Sequence, residues 1–354
     1  MAAMTARRSS DLNLGIVAAL TAAGLFGAAA PLAKLLLDQT DPWLMAGLLY
    51  LGSGLGLTAY RLVVRAPSVR LPNGEWRSLA GAVVFGGMMA PALLLFGLQN
   101  MPASGASLLL NAEGLFTALI AWIVFRENAD RRIVLGMLAI LAGAAVITWP
   151  GDVAFASVWP ACAILGACFA WGIDNNLTRK VSLADATWIA AVKGLAAGSV
   201  NFALAMAIGS TLPPLPVIGG AMVLGLCAYG ISLALFVVAL RHLGTARTGA
   251  YFSIAPFFGA ALAVALGDPV TWTLAIAGLL MAFGLWLHLT ETHEHEHAHE
   301  AMDHEHEHAH DDGHHGHDHD TPVAPGTRHT HQHRHTAVTH AHAHFPDMHH
   351  QHAH

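Results

Sequence analysis

Residues 111–148 read NAEGLFTALIAWIVFRENADRRIVLGMLAILAGAAVIT. Two apolar runs flank one charged turn, and that turn holds Arg126, Arg131 and Arg132. A helix needs about 20 apolar residues to cross a hydrocarbon core roughly 30 Å thick. Each run reads as such a helix, and the arginine-rich turn reads as a loop left on the cytosolic side.

Working outward, runs of this length recur. Ten are legible: 14–37, 43–64, 78–98, 102–125, 132–149, 158–177, 184–208, 215–239, 245–267 and 271–289. Many are rich in Gly and Ala, which let helices approach closely in lipid. Trp43 and Trp272 stand at the start of spans, where interfacial anchors belong. Cys162, Cys168 and Cys227 lie in apolar runs with no CxxC spacing, so they read as buried free thiols.

The composition divides the chain near residue 290. Of 25 His, 23 lie between His293 and His354. The tail carries 12 acids and two bases, about −10 with neutral His, whereas the body carries 11 acids and 15 bases, about +4. Such a body is too hydrophobic for an ordinary soluble domain.

Loop charges set the orientation. Alternate connections hold Arg7, Arg8, Arg61, Arg65, Arg70, Arg77, Arg126, Arg131, Arg132, Arg179, Lys180, Arg241 and Arg247; the other side has only Lys34. Cytoplasmic loops retain Lys and Arg, so residues 1–13 are expected inside, and ten spans return the C-terminus inside too. The first apolar run, ending in AAAPLA, has features of a signal peptide. It also has a repeat partner, so an uncleaved first helix is expected.

That partner belongs to an internal repeat. GLQNMPASGAS (97–107) and ALRHLGTARTG (239–249) lie 142 positions apart, and Phe26 and Lys34 stand 145 positions before Trp171 and Arg179. Five spans per half, an odd number, give the halves opposite orientations. The loops agree, because RENADRR carries three arginines where GDPVT carries none. The expected fold is an all-α integral membrane protein: ten transmembrane helices in two inverted five-helix repeats, 14–149 and 158–289, plus a disordered tail, 290–354. Inverted repeats are typical of secondary transporters.

The ten runs, the 5+5 repeat and the 111–148 stretch resemble the EamA-type carriers of the drug/metabolite transporter superfamily. The resembling feature is an apolar span, an acid, a polar turn and a Gly-rich span, at Glu127 and more loosely at Asp268. The resemblance covers about residues 14–289. It implies a ten-helix bundle moving small organic solutes by alternating access, often outward and coupled to an ion gradient. Asn111-Ala112-Glu113-Gly114 stands where the second half has Ser253-Ile254-Ala255-Pro256, so site residues do not carry over simply.

Charge deep in lipid is costly and marks function by default. Glu113, with Asn111 beside it, lies near the middle of span 4, Lys193 inside span 7, Asp174 towards the cytosolic end of span 6, and Lys34 at the end of span 1. Two readings of Glu113 stand side by side: a proton or cation site, with Lys193 or Lys34 as counter-ion or anion ligand, or a structural ion pair with Lys193. Asp174 also reads as a helix-end pair with Arg179, and Lys34 as a snorkelling anchor. Tyr251 is a weaker pocket candidate, since interhelical hydrogen bonds explain most such groups. Glu127 and Asp268 read as caps. The body has neither a nucleotide-binding Gly-Lys-Ser/Thr loop nor HExxH, so no enzyme is expected. An acidic tail on a lipid-embedded body excludes nucleic acid.

The tail's donors are imidazole and carboxylate, a set suited to Zn²⁺, Ni²⁺, Co²⁺ or Cu²⁺. The candidate ligands are His293, His295, His297, His299, His304, His306, His308, His310, His314, His315, His317 and His319. The second cluster, after TPVAPGT, is less acidic and expected to bind more weakly per His. No cofactor is required. Expected partners are the bilayer of the cytoplasmic (inner) membrane and a small-molecule or metal-ion substrate, with room for a homodimer. Three functions fit: an exporter of a divalent metal or its complex, a generic metabolite or drug carrier whose tail buffers or senses metal, and a membrane-anchored metal store.

Overall fold

Asp41 and Asp185 open two long helices by the same device. Each sits in extended backbone and accepts the amide three residues on, from Leu44 and Trp188, both at 3.0 Å. The computed structural model describes residues 2–69, 71–72, 74–125, 131–148, 158–181, 184–243, 245–289, 293–299, 303–308, 329–334 and 338–344. It divides into two compact units, Met1–Glu291 and Thr292–His354.

The first unit is helical among the described residues. Its helices begin with α1 (Ala2–Gly27), α2 (Ala29–Leu37), α3 (Pro42–Val63), α4 (Trp76–Ala82), α5 (Ala90–Gln99), α6 (Ala103–Leu109) and α7 (Ala112–Phe125). They continue as α8 (Arg131–Thr148), α9 (Trp159–Arg179), α10 (Ala186–Ala207), α11 (Leu215–Gly225), α12 (Ser232–Leu243), α13 (Thr245–Phe252), α14 (Ala255–Ala265) and α15 (Trp272–Leu289). A π turn, Val83–Met89, joins α4 to α5, and a second, Leu226–Ile231, joins α11 to α12.

Among the described residues six helical segments are long and apolar enough to cross a membrane: Leu14–Leu37, Pro42–Val63, Trp76–Gln99, Ala103–Ile120, Ala186–Ala207 and Leu215–Ala239. Val134–Thr148, Ala255–Ala265 and Trp272–Leu287 are shorter apolar helices. Several apolar runs are less regular than their hydropathy suggests. The run 102–125 divides between α6 and α7, where the Asn111 side-chain amide donates to Leu108 O at 2.9 Å. The runs 14–37 and 245–267 break just before Pro31 and Pro256, which have no N–H for the carbonyl four residues earlier.

Small residues set the packing. α3 lies along α10 so closely that a Cβ on Gly194 would fall 2.7 Å from the Gly54 Cα, and α15 lies along α8. α1 packs on α12, α5 and α7 pack on α9, α11 packs on α3, and α14 packs on α6. The outer surface is apolar: Leu62, Val63, Ile123, Leu215, Trp272 and Leu279 are 72–86 % exposed. Such a surface suits a lipid surround. All three cysteines are free; Cys168 is buried, but Cys162, expected inside, is exposed on the outer face of α9.

The second unit departs from the disorder its composition suggests. Its described residues form β1 (His293–His299), β2 (Asp303–His308), β3 (His329–Arg334) and β4 (Val338–His344), with β1 antiparallel to β4 and β2 to β3. Strict His-X-His alternation suits extended chain. Two-stranded ladders without an apolar face are marginal in water, so these pairings carry little stability of their own.

Candidate functional site

The site grows from a defect in one helix. In the first π turn the Ala90 N–H bonds the Phe85 carbonyl, five residues back. Pro91 then has no N–H to offer the carbonyls of Gly86 and Gly87. Side chains from three helices take them. Tyr50 OH on α3 and Trp171 Nε1 on α9 donate to Gly86 O at 2.7 and 3.1 Å, and Asn201 Nδ2 on α10 donates to Gly87 O at 2.9 Å.

The ion pair sits against the same turn. Lys193 Nζ on α10 contacts both oxygens of Asp174 on α9, at 2.6 and 2.7 Å. Thr178 Oγ1 adds a donor at 2.8 Å. Asp174 is buried, and its carboxylate occupies the space a Cβ on Gly86 would need. Glycine is therefore required at 86 by close approach.

Glu113 lies at the start of α7, where the helix dipole favours an anion. Asn175 Nδ2 donates to Glu113 Oε1 at 2.9 Å and to Thr117 Oγ1 at 3.1 Å. Asn176 Nδ2 reaches Thr117 O at 3.1 Å. α7 and α9 are thus joined by two amides and a threonine. Glu113 stands within electrostatic reach of Asp174, Lys193, Tyr50 and Tyr229. Tyr229, in the second π turn, lies 5.5 Å from Tyr50 and 6.0 Å from Phe26, ring centroid to centroid. Asn201 Oδ1 is fully buried and has no hydrogen-bond partner among the described residues.

The structure brings Glu113, Asp174 and Lys193 together and leaves the other transport candidates apart. The ion partner of Lys193 is Asp174, where the structural alternative paired it with Glu113; the Arg179 side chain, the other partner expected for Asp174, lies outside the described residues. Lys34 Nζ donates to Leu98 O and Met101 O, both at 2.6 Å, closing the end of α5. Asn111 holds the α6–α7 break, and Tyr251 packs against Ala18, Ala19 and Ala239. Asp268, in the turn between α14 and α15, accepts from Ser104 N at 2.7 Å and caps α6; Glu127 lies outside the described residues. Among the described side chains no group of three His, Cys, Asp or Glu is placed to hold a metal. His310, His314, His315, His317 and His319 lie outside the described residues; for His293 to His308 the backbone alone is described.

Sequence reasoning missed Tyr50, Trp171, Thr117, Thr178 and the π turn. Two signals were present: a threonine four residues after each acid (Glu113–Thr117, Asp174–Thr178), and a Gly-Gly pair four residues before Pro91.

Outside the spans, Asp185 makes a second polar contact. Arg61 Nη1 donates to it at 2.6 Å, joining the C-terminal end of α3 to the start of α10. Partial burial pushes the Asp185 carboxyl up, but bonds from Thr187 and the Trp188 amide, with the Arg61 charge, outweigh it and hold the group below the ordinary aspartate range.

A helical unit with a lipid-type surface and a carboxylate–ammonium–amide cluster set among its apolar helices defines a multi-pass membrane protein of the carrier class. Residues 13–149 and 158–290 each match the EamA-like transporter family, and the chain belongs to that family. It is a transporter rather than an enzyme. An uncharacterized transporter of Methanothermobacter thermautotrophicus is 28% identical over 294 residues, covering 77% of this chain and 85% of that protein. The uncharacterized inner membrane transporter YedA of Escherichia coli is 25% identical over 264 residues, 71% of this chain and 84% of its own length. A solved structure described only as "Crystal structure of protein" has the same fold, with a TM-score of 0.58 and 20% identity over 79% of this chain and 96% of that one.

Proposed function

We propose that the chain is a secondary active carrier of small organic solutes, working outward, with ten spans in two inverted five-helix repeats and both termini cytosolic. The observation that carries this reading is the cluster of half-buried Glu113 and Lys193 with buried Asp174 against an opened helix. It joins residues of the first repeat (Glu113, Gly86) to residues of the second (Asp174, Lys193), where inverted-repeat transporters place their substrate.

The repeat draws support from packing. Spans 1 and 8 touch, as do spans 6 and 3; spans 1 and 9 touch, as do spans 6 and 4. Each pair becomes the other when the halves are exchanged. Both halves also carry a π turn in their third span and a helix break in their fourth.

Two carboxylates against one ammonium leave the cluster one negative charge in excess. Glu113, whose partner Asn175 is neutral, is the group free to take a proton or a cationic substrate group. An ammonium bonded to both oxygens of Asp174 disfavours a bare metal ion there, so the organic solute is preferred. The histidine tail, a chelator of Zn²⁺, Ni²⁺, Co²⁺ or Cu²⁺, then acts as a metal-buffering module. Its composition alone favours the second reading, export of a divalent metal or its complex.

Cellular metal content and tolerance to Ni²⁺, Co²⁺ and Zn²⁺ separate the two, measured for the full chain, residues 1–290 and Glu113→Gln. The organic-solute reading expects truncation to change metal content while Glu113→Gln leaves it alone. If Glu113→Gln changes metal accumulation as much as truncation does, the metal is cargo and the preferred reading fails.

A further inference from the structure

The register of the tail strands pairs histidine with histidine. Between β1 and β4, His293 stands opposite His344, His295 opposite His342 and His297 opposite His340. Between β2 and β3, His304 faces His333, His306 faces His331 and His308 faces His329. Because successive residues of a strand point to opposite faces, each ladder gathers its six paired histidines on one face. The other face takes Glu294 and Glu296 with Ala343 and Ala341, or Asp303 with Arg334, Glu305 with Gln332 and Glu307 with Thr330.

We infer that the second histidine cluster is the strand partner of the first, and that divalent metal binding between the two zips them into these ladders. Residues directly opposite have Cβ atoms about 4.5–5.5 Å apart, a spacing that lets two imidazoles share one ion. Two neighbouring rungs bring four imidazoles together, the donor number a tetrahedral ion takes. The ligand class is a borderline divalent ion, Zn²⁺, Ni²⁺ or Cu²⁺. A metal also supplies what the ladders lack: without an apolar face such pairs are marginal, and binding free energy becomes folding free energy. Charge adds direction, since Asp303 opposite Arg334 favours the antiparallel register over its alternatives. The inference rests on the tail being a chelator. It makes the metal sites cross-strand ones, and it makes the less acidic cluster an equal ligand donor.

Amide hydrogen exchange on the full chain in detergent, with and without Zn²⁺, tests this. One variant changes His329, His331, His333, His340, His342 and His344 to Gln. A second inserts one Ser after Thr330 and one after Ala341, keeping every histidine but leaving each ladder a single His–His rung in register, with the rest sent to the opposite face. The expected result is Zn²⁺-dependent slowing of exchange across 293–299 and 303–308 by roughly ten-fold or more in the parent chain. That slowing is expected to be lost in both variants, although 293–308 are unaltered in each. Equal protection of 293–308 in parent and variants, with Zn²⁺ still bound, means local chelation within one cluster and overturns the pairing. Failure of the parent chain to bind Zn²⁺ would instead remove the chelator reading itself.

Discussion

The two π turns occupy corresponding places and are built differently. In the first, Pro91 strips donors from Gly86 and Gly87, and polar side chains from three helices move in, with the Asp174–Lys193 pair packed alongside. The second, Leu226–Ile231, has no proline at the corresponding offset; it presents Tyr229, whose ring lies on Tyr50 and edge-on to Phe26. The fourth spans repeat the contrast: α7 opens on Ala112–Glu113 and α14 on Ala255–Pro256. The two turns thus differ in what packs on them, an ion pair at the first and aromatic rings at the second, so one wall of the site is ionic and the other aromatic.

The harshest way to break that comparison is to remove one charge from the ionic wall. Asp174→Asn leaves the Lys193 ammonium, 17 % exposed, without its partner. Removing one member of a buried pair costs about 3–5 kcal/mol, whereas removing both together costs far less. We therefore expect Asp174→Asn to lower the unfolding temperature in detergent sharply and Asp174→Asn with Lys193→Met to restore most of it. Additive losses in that cycle would mean the two residues do not act as a pair.

The next effect comes from the glycine beneath the pair. Gly86→Ala sets a methyl where the Asp174 carboxylate lies. Overpacking of this kind typically costs about 1–3 kcal/mol. In the aromatic wall, Tyr229→Leu removes two ring contacts and is expected to cost about 1 kcal/mol, since such pairs contribute roughly 0.5–1.5 kcal/mol beyond burial. Thermal unfolding of both variants ranks the walls; an aromatic-wall loss equal to the Gly86→Ala loss would erase the distinction.

Much of this was legible in the sequence and some was not. Hydropathy runs and arginine-bearing loops gave the class, because lipid imposes length and charge rules that single residues obey. Glu113, Asp174 and Lys193 stood out because ionised groups are rare in apolar runs. Their partnership did not. Lys193 meets Asp174 only because α9 and α10 both pack against the first π turn beside Gly86, a tertiary fact that spacing of 19 residues cannot encode. Tyr50 and Trp171 were invisible as hydrogen-bond donors, since nothing local to them announces that Pro91 has left a carbonyl free. Lys34 and Tyr251 carried the same surface signals as the site residues yet serve a loop closure and an apolar cluster.

The smallest expected effect compares the two halves at their second spans. Asp41 and Asp185 make the same cap, but Asp185 also holds Arg61. A cap is worth about 0.5–2 kcal/mol, so Asp41→Ala and Asp185→Ala should each cost roughly 1 kcal/mol. The Arg61 pair adds little to the second, because Asp185 is 36 % exposed and water screens it. The two do differ in acid. The folded Asp185 carboxyl is held below its ordinary range, so the stability it lends is fully present above the unfolded value and fades as pH falls through the folded one. The parent chain's advantage over Asp185→Ala should therefore hold at neutral pH and shrink on acidification below the ordinary aspartate range. An advantage that grew on acidification would show that Arg61 and Thr187 do not stabilise the ionised form.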